Sequence, residues 1–291
     1  MDHERYIQET CAKIFNVDAQ NVSIVERLMG GMSNFTYIID VDGEKYTFRI
    51  PGKRAEKFVN RKEEVYHLGL IKDLNLNNET VHIDIESGVK IAKYIPGIPL
   101  HELLVLDYLE EVAKTLKTVH QSDITSSYDY NPYQRLNTYE SYLEAFDYTH
   151  DEQYFLLKDL WLKYRPFLEQ FEQTLSHGDA QPSNFVKAEA GELRLMDWEF
   201  TGNNDPFYDL AQFGNKDFDH AVALLPVYLD ETPTYTDYKR LYLWRVFQCL
   251  QWHNVALYKH MIGLSEDLKI PFDKVAKMYL SKAQNLMDKL K

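Results

Sequence analysis

The chain has 291 residues, 45% hydrophobic and 26% charged, which is ample for one large domain or two lobes sharing a cleft. Its 32 Lys and Arg stand against 45 Asp and Glu, a net charge of −13, and no basic cluster stands out, so the charge disfavours a nucleic-acid partner and none is expected. The acidity suits a cationic ligand, and it is also what an ordinary solvated surface carries.

The first residues, MDHERYIQETCAKIF, read as an acidic amphipathic helix. They lack the basic region followed by an apolar region of a signal peptide. Cys11 and Cys249 lie too far apart in sequence for a metal-ligand spacing and read as free thiols of a reducing compartment. The longest nearly apolar run, Ala221 to Leu229, is too short to span a bilayer and contains Pro226. The expectation is a cytoplasmic protein with no membrane partner.

Val22 to Leu28 and Phe35 to Val41 read as strands joined by the turn Met29-Gly30-Gly31-Met32-Ser33-Asn34. Asp42-Gly43 marks a two-residue hairpin, because both residues tolerate positive φ, and Glu44 to Ile50 is the third strand. A helix is expected from about Ala55 to Leu74, then a hairpin of Val81 to Ile85 and Val89 to Ile95. Pro96, Gly97 and Pro99 punctuate the chain there, which divides it into lobes 1–95 and 96–291. His101 to His120 is strongly periodic, and Tyr139 to Phe171 holds one or two helices. Leu175 to Trp198 turns to short strands joined by Gly191. Helices return near Pro206 to Gly214, Asp237 to Met261 and Pro271 to Leu290. The predicted class is α+β: a small N-terminal lobe with a five-stranded antiparallel sheet plus a helix, and a larger, mainly helical C-terminal lobe.

The chemistry concentrates in His177-Gly178-Asp179-Ala180-Gln181-Pro182-Ser183-Asn184 and, shortly after, Leu195-Met196-Asp197-Trp198-Glu199. Phosphoryl transfer asks for a carboxylate that aligns a hydroxyl and takes its proton, and for hard oxygen ligands to Mg²⁺. Asp179, Asn184 and Asp197 fit those three roles. A turn at Gly178 and a capping role for Asp197 is the bland alternative. It leaves the Asn five places after Asp179 unexplained, and also the second acidic element.

HGDAQPSN, with LMDWEFTGNNDPFYDLA after it, resembles the catalytic and metal segments of the choline/ethanolamine kinase family. The wider aminoglycoside phosphotransferase group, itself similar to protein kinases, is resembled as well. The likeness runs from Leu28 to Tyr258 and is greatest to bacterial choline kinases. It implies a protein-kinase-like, two-lobed fold and ATP with Mg²⁺ as cofactors. The metal residues implied are Asn184 and Asp197, with Glu199 reaching the ion directly or through water. The nucleotide contacts implied are Gly30, Gly31, Ser33 and Asn34 in the first turn, Arg49 oriented by Glu64, backbone groups of Lys93 and Ile95 at the hinge, and Gln181 near the phosphates. His177 and Asp209 are implied to orient and brace the catalytic loop.

The acceptor implied is a small cationic alcohol, since aromatic faces recognise a quaternary ammonium. Phe200 stands where many members have Tyr, and Trp252 matches a cage Trp. Val255 takes the place of a second family Trp, while Tyr258 lies further along the same helix. This departure leaves choline, ethanolamine and other amino alcohols open. The rival readings are an aminoglycoside, homoserine or sugar kinase of the same fold, and a catalytically inactive kinase-like binding module. The sequence leaves the oligomeric state open.

Overall fold

The computed structural model describes residues 2–28 and 34–290. In chain order the elements begin with α1 (His3–Phe15), β1 (Val22–Leu28), β2 (Asn34–Val41), β3 (Glu44–Pro51), α2 (Arg61–Leu70), β4 (Thr80–Ile83), β5 (Lys90–Lys93) and β6 (Gly97–Pro99). There follow α3 (Leu109–His120), α4 (Pro132–Glu144), α5 (Glu152–Leu162), α6 (Arg165–Leu168), β7 (Thr174–Ser176), β8 (Phe185–Ala188), β9 (Leu193–Leu195) and β10 (Gly202–Asn204). The chain ends with α7 (Phe207–Phe213), α8 (Phe218–Leu229), α9 (Tyr235–Met261), α10 (Leu264–Leu268) and α11 (Phe272–Asp288).

Two compact units form. The first runs up to Val105 and takes in Pro182–Thr201; the second is Leu106–Gln181 with the chain from Gly202 onward. The punctuating segment Gly97–Pro99 is a strand that pairs with Val186–Ala188, inside the first unit. Gly97 is needed there, because a Cβ would lie 2.4 Å from the Lys187 carbonyl oxygen.

The first unit is built on the antiparallel sheet β1-β2-β3-β5-β4. Asp42 and Gly43 take φ of 50° and 86°, the positive values expected of this hairpin, and Val41 pairs with Glu44 across it. Strand alternation sends Tyr37, Ile39 and Val41 of β2, and Tyr46, Phe48 and Ile50 of β3, into one core with Ile7 and Cys11 of α1. Arg49, between Phe48 and Ile50, therefore points to the opposite face of the sheet.

The expected helix over Ala55 to Leu74 is shorter. Arg54 enters the left-handed region, Ala55–Lys57 is a single 3₁₀ turn, and Asn60 caps α2 by accepting the Lys62 N–H. The hairpin strands over 81–85 and 89–95 are also shorter. Asp84 accepts the N–H groups of Glu86 and Ser87, which closes a turn before the second strand starts. The long stretch over 139–171 is three helices, and helix 101–120 starts only at Leu109.

The second unit centres on α9, a 27-residue helix opened by a capping box of Thr234 and Asp237. Helices α4, α7 and α11 pack on it, and Trp161 of α5 donates to the Leu243 carbonyl at 2.9 Å. The apolar run around Pro226 is helix α8, started by Asp217, whose side chain accepts the Asp219 N–H. No described helix is long and apolar enough to cross a membrane.

Candidate active site

In the first unit, β8 and β9 form a hairpin in which Phe185 pairs with Leu195. Met196 N–H continues the ladder to the Asn184 carbonyl at 2.8 Å. Two residues thirteen apart in sequence, Asn184 and Asp197, thus sit side by side at the open end of the hairpin. Asp197 then turns into the left-handed region at φ 68°, an uncommon conformation for a residue with a side chain. Its carboxylate keeps 37% exposure. Surrounding protein and the charge of Glu199 push its pKa upward, against the pull of Arg49 and Lys90.

Behind Asp197 lies a buried charge network on the face of the sheet away from the α1 core. Arg49 donates to both Glu64 oxygens, at 2.7 and 2.8 Å, the planar fork-to-fork pairing that Lys cannot make. Burial would raise the Glu64 pKa, but hydrogen bonds and charge from Arg49, reinforced by Lys90 and Arg61, hold it down at about 2. Burial and the Arg49 charge lower the Lys90 pKa, while Glu64, Asp197 and Glu199 oppose that shift.

Glu199 is 7% exposed and is held from three sides. Arg61 donates to it at 2.8 Å and Arg49 at 3.2 Å, and the Asn34 amide at 3.3 Å. The role implied for Glu199, at the metal, thus competes with two arginines. Among the described residues no group of three or more His, Cys, Asp and Glu is arranged to hold a metal ion. Arg61 was not singled out from sequence, where it reads as one more surface charge in Asn60-Arg61-Lys62-Glu63-Glu64. Its only signal was the i, i+3 spacing to Glu64.

The remaining nucleotide candidates divide. Gly30, Gly31 and Ser33 lie outside the described residues, and Asn34 begins β2. Lys93 spends its N–H on the Glu79 carbonyl at 2.8 Å, and its own carbonyl accepts the Asn78 amide at 3.0 Å. Those bonds oppose the expectation that Lys93 offers its N–H to adenine. Ile95 is half-buried past the end of β5.

The loop carrying Asp179 belongs to the second unit. Asp209 of α7 accepts the N–H of His177 at 2.7 Å and that of Gly178 at 2.9 Å. His120 approaches the same carboxylate at 3.0 Å and is itself fixed by Tyr228. Burial would raise the Asp209 pKa, but the His120 bond and the His120 and His177 charges bring it below the ordinary value. The His177 ring accepts the Asp179 N–H at 3.2 Å, so this histidine orients the loop. Both Asp179 oxygens accept from side-chain amides: Gln212 at 2.7 Å and Gln181 at 3.0 Å. Gln181 in turn accepts from Asn215 at 2.8 Å, which engages both ends of its amide.

The acceptor candidates are spread. Phe200 belongs to the first unit. Trp252 stacks on Tyr279 of α11, with centroids 6.0 Å apart and planes at 20°. Tyr258 packs on Tyr142 and Phe146. Six residues along a helix fall about 120° short of two full turns. Trp252 and Tyr258 therefore lie on different sides of α9 and pack on different rings. Tyr279, which stacks on Trp252, was not singled out from sequence; only its place in a periodic helix marked it beforehand.

The profile of the choline/ethanolamine kinase family matches residues 25–245, about three-quarters of the chain. The chain belongs to the choline/ethanolamine kinase family. It is a phosphotransferase for choline or similar alcohols, with a kinase-like fold. Protein LicA of Haemophilus influenzae is 27% identical over 262 residues, covering 84% of this chain and 76% of LicA. The crystal structure of choline kinase LicA from Streptococcus pneumoniae has the same fold, with a TM-score of 0.80 at 24% identity over 99% of this chain and 100% of that one. LicA in complex with AMP gives a TM-score of 0.80 at 22% identity, over 100% of both chains.

Proposed function

We propose that this kinase transfers the γ-phosphoryl group of ATP directly onto the hydroxyl of choline or a related amino alcohol in the cytoplasm. The observation that carries the reading is the pairing of Met196 N–H with the Asn184 carbonyl, which brings the Asn184 backbone next to the residue that precedes Asp197. The donor set is one of hard oxygens, and the Asp197 carboxylate keeps a raised pKa although Arg49 stands 3.6 Å away, so the nearby cations do not fully offset its burial and the Glu199 charge. Both features fit Mg²⁺. Asn184 and Asp197 would hold the ion, which when bound neutralises phosphate charge.

Arg49, fixed by Glu64, presents a rigid guanidinium to the phosphates. Asn34, with Gly30, Gly31 and Ser33 that precede it in sequence, would contact the nucleotide, and the chain at Ile95 meets adenine. In this reading 1–95 is the nucleotide lobe and 96–291 the catalytic lobe. Asp179, held by two amides, orients the acceptor hydroxyl and receives its proton. Positioning and fixed charge do most of the work in such a transfer, and no phospho-enzyme is needed. Trp252 and Tyr279 offer stacked aromatic surface for the cationic head of the acceptor. AMP in the LicA complex supports an adenine nucleotide here too.

The test is ADP release with a panel of choline, ethanolamine, other amino alcohols, aminoglycosides and homoserine. Choline or an amino alcohol should give the highest kcat/KM. Asp179→Asn should lower kcat by about 10²–10⁴-fold while calorimetry shows Mg-ATP still bound. Near-wild-type turnover in that variant, or no ATP consumption with any acceptor, sinks the reading.

A further inference from the structure

Gln212 lies on α7, three residues after the loop-bracing Asp209, and is 2% exposed. Its Nε2 donates to Asp179 Oδ1 at 2.7 Å. Its Oε1 is buried and, among the described residues, has no hydrogen-bond partner. The direction of the amide follows from chemistry: a carboxylate only accepts, so the NH₂ end must face Asp179. Turning the amide over would put oxygen against oxygen.

A buried amide that leaves its carbonyl unpaired weakens the fold. A hydrophobic side chain of similar length would suit the interior of α7 better. The single strong bond that Gln212 makes is to the side chain read as the catalytic base. The second donor on Asp179, Gln181, is anchored differently. Its carbonyl accepts from Asn215, and Arg245 donates to the Asn215 carbonyl at 2.7 Å. Gln181 is thus part of a satisfied chain of bonds, whereas Gln212 keeps an unsatisfied atom inside the protein in order to face Asp179.

We propose that Gln212 is a positioning residue for phosphoryl transfer, retained at a cost in stability to fix the plane of the Asp179 carboxylate. The inference rests on the reading of Asp179 as the base. With donors from Gln212 and Gln181 on opposite oxygens, the carboxylate cannot rotate, and the remaining lone pairs keep one direction toward an acceptor hydroxyl. Without Gln212, Oδ1 is free to swing, and fewer bound hydroxyls sit in line for transfer.

The experiment compares wild type, Gln212→Met and Gln212→Asn by thermal melting, by Mg-ATP calorimetry and by steady-state kinetics with choline. Gln212→Met removes both the donor and the unpaired carbonyl at nearly constant length. Its Tm should stay level or rise by about 1–4 °C. Its kcat should fall about 10- to 100-fold, with ATP and choline KM and the ATP dissociation constant within threefold of wild type. Gln212→Asn, which keeps an amide, should recover part of the lost kcat. A Tm lowered by several degrees in Gln212→Met would make the residue a packing element and overturn the proposal; so would an unchanged kcat. If the wild type itself consumes no ATP with any acceptor, the reading of the site fails separately. The melting comparison then still decides whether Gln212 is kept for stability.

Discussion

Arg61 and Glu199 stand 2.8 Å apart, although 138 positions of sequence separate them. Arg61 also reaches Glu64 at 2.7 Å, so one guanidinium ties α2 to the segment after β9. Three cations, Arg49, Arg61 and Lys90, meet three carboxylates, Glu64, Asp197 and Glu199. Asp197 keeps substantial exposure, while Glu64 and Glu199 are spent on arginines.

Glu64→Gln should therefore destabilise the protein by about 3 kcal/mol, because it leaves buried guanidinium charge without its bidentate partner. Urea unfolding measures the loss. The KM for ATP should rise as Arg49 loses its fixed direction. A midpoint in urea equal to wild type would count against this account of the network.

Gly88→Ala should disturb the same cluster from the loop side. Gly88 has φ +72°, and a Cβ there would meet Pro51 Cγ at 2.7 Å and Arg61 Nε at 2.9 Å. Backbone strain and the displaced arginine together should cost about 1–3 kcal/mol. The KM for ATP should rise with little change for the acceptor. Unchanged stability by thermal melting would show that Arg61 has room to move.

Acid should weaken the fold in two steps. Burial pushes the His253 imidazole from its ordinary 6.5 down to about 4, despite the bond of its Nδ1 to the Ala276 carbonyl at 2.9 Å. Glu64 is held from 4.5 down to about 2. In both windows the unfolded chain binds more protons than the folded one, so stability falls as pH falls. It is complete above about pH 6.5, declines through the His253 window down to about 4, and then through the Glu64 window down to about 2. Each step is on the order of 3 kcal/mol. Urea midpoints taken from pH 8 to pH 4 test the first step, and a flat profile there would refute it.

Asp209→Asn should loosen the catalytic loop. The amide keeps one acceptor oxygen, so one of the two N–H groups of His177 and Gly178 loses its partner, and His120 loses its carboxylate. A loss of about 2–3 kcal/mol is expected. The kcat should fall at least tenfold while ATP affinity stays near wild type. Stability and kcat both unchanged would show that the loop is held by other contacts.

The family was legible because the motifs HGDAQPSN and LMDWEF are local. Asn184 and Asp197 are joined by one hairpin, so their backbones sit together at its open end. The Asp42-Gly43 turn and β1 to β3 were legible for the same reason: positive φ and period-two burial are properties of neighbours in sequence. The helix at 55–74 was read too long, because apolar periodicity continues across Asn60, and the cap was outweighed by pattern. Arg61, Gln212 and Tyr279 escaped notice because each matters only through a partner remote in sequence. Their own neighbourhoods read as a charged helix start, a buried helix and a periodic helix.

The order of residues by itself determined the family and the kinase-like architecture, since these follow from motifs and from alternation along short stretches. Tertiary structure alone decided which charges neutralise each other, that Glu199 is gripped by two arginines, and that Trp252 stacks on Tyr279 and not beside Tyr258. Coulomb attraction, burial and ring stacking act through space over a few ångströms, and distance in space is what a linear sequence does not carry.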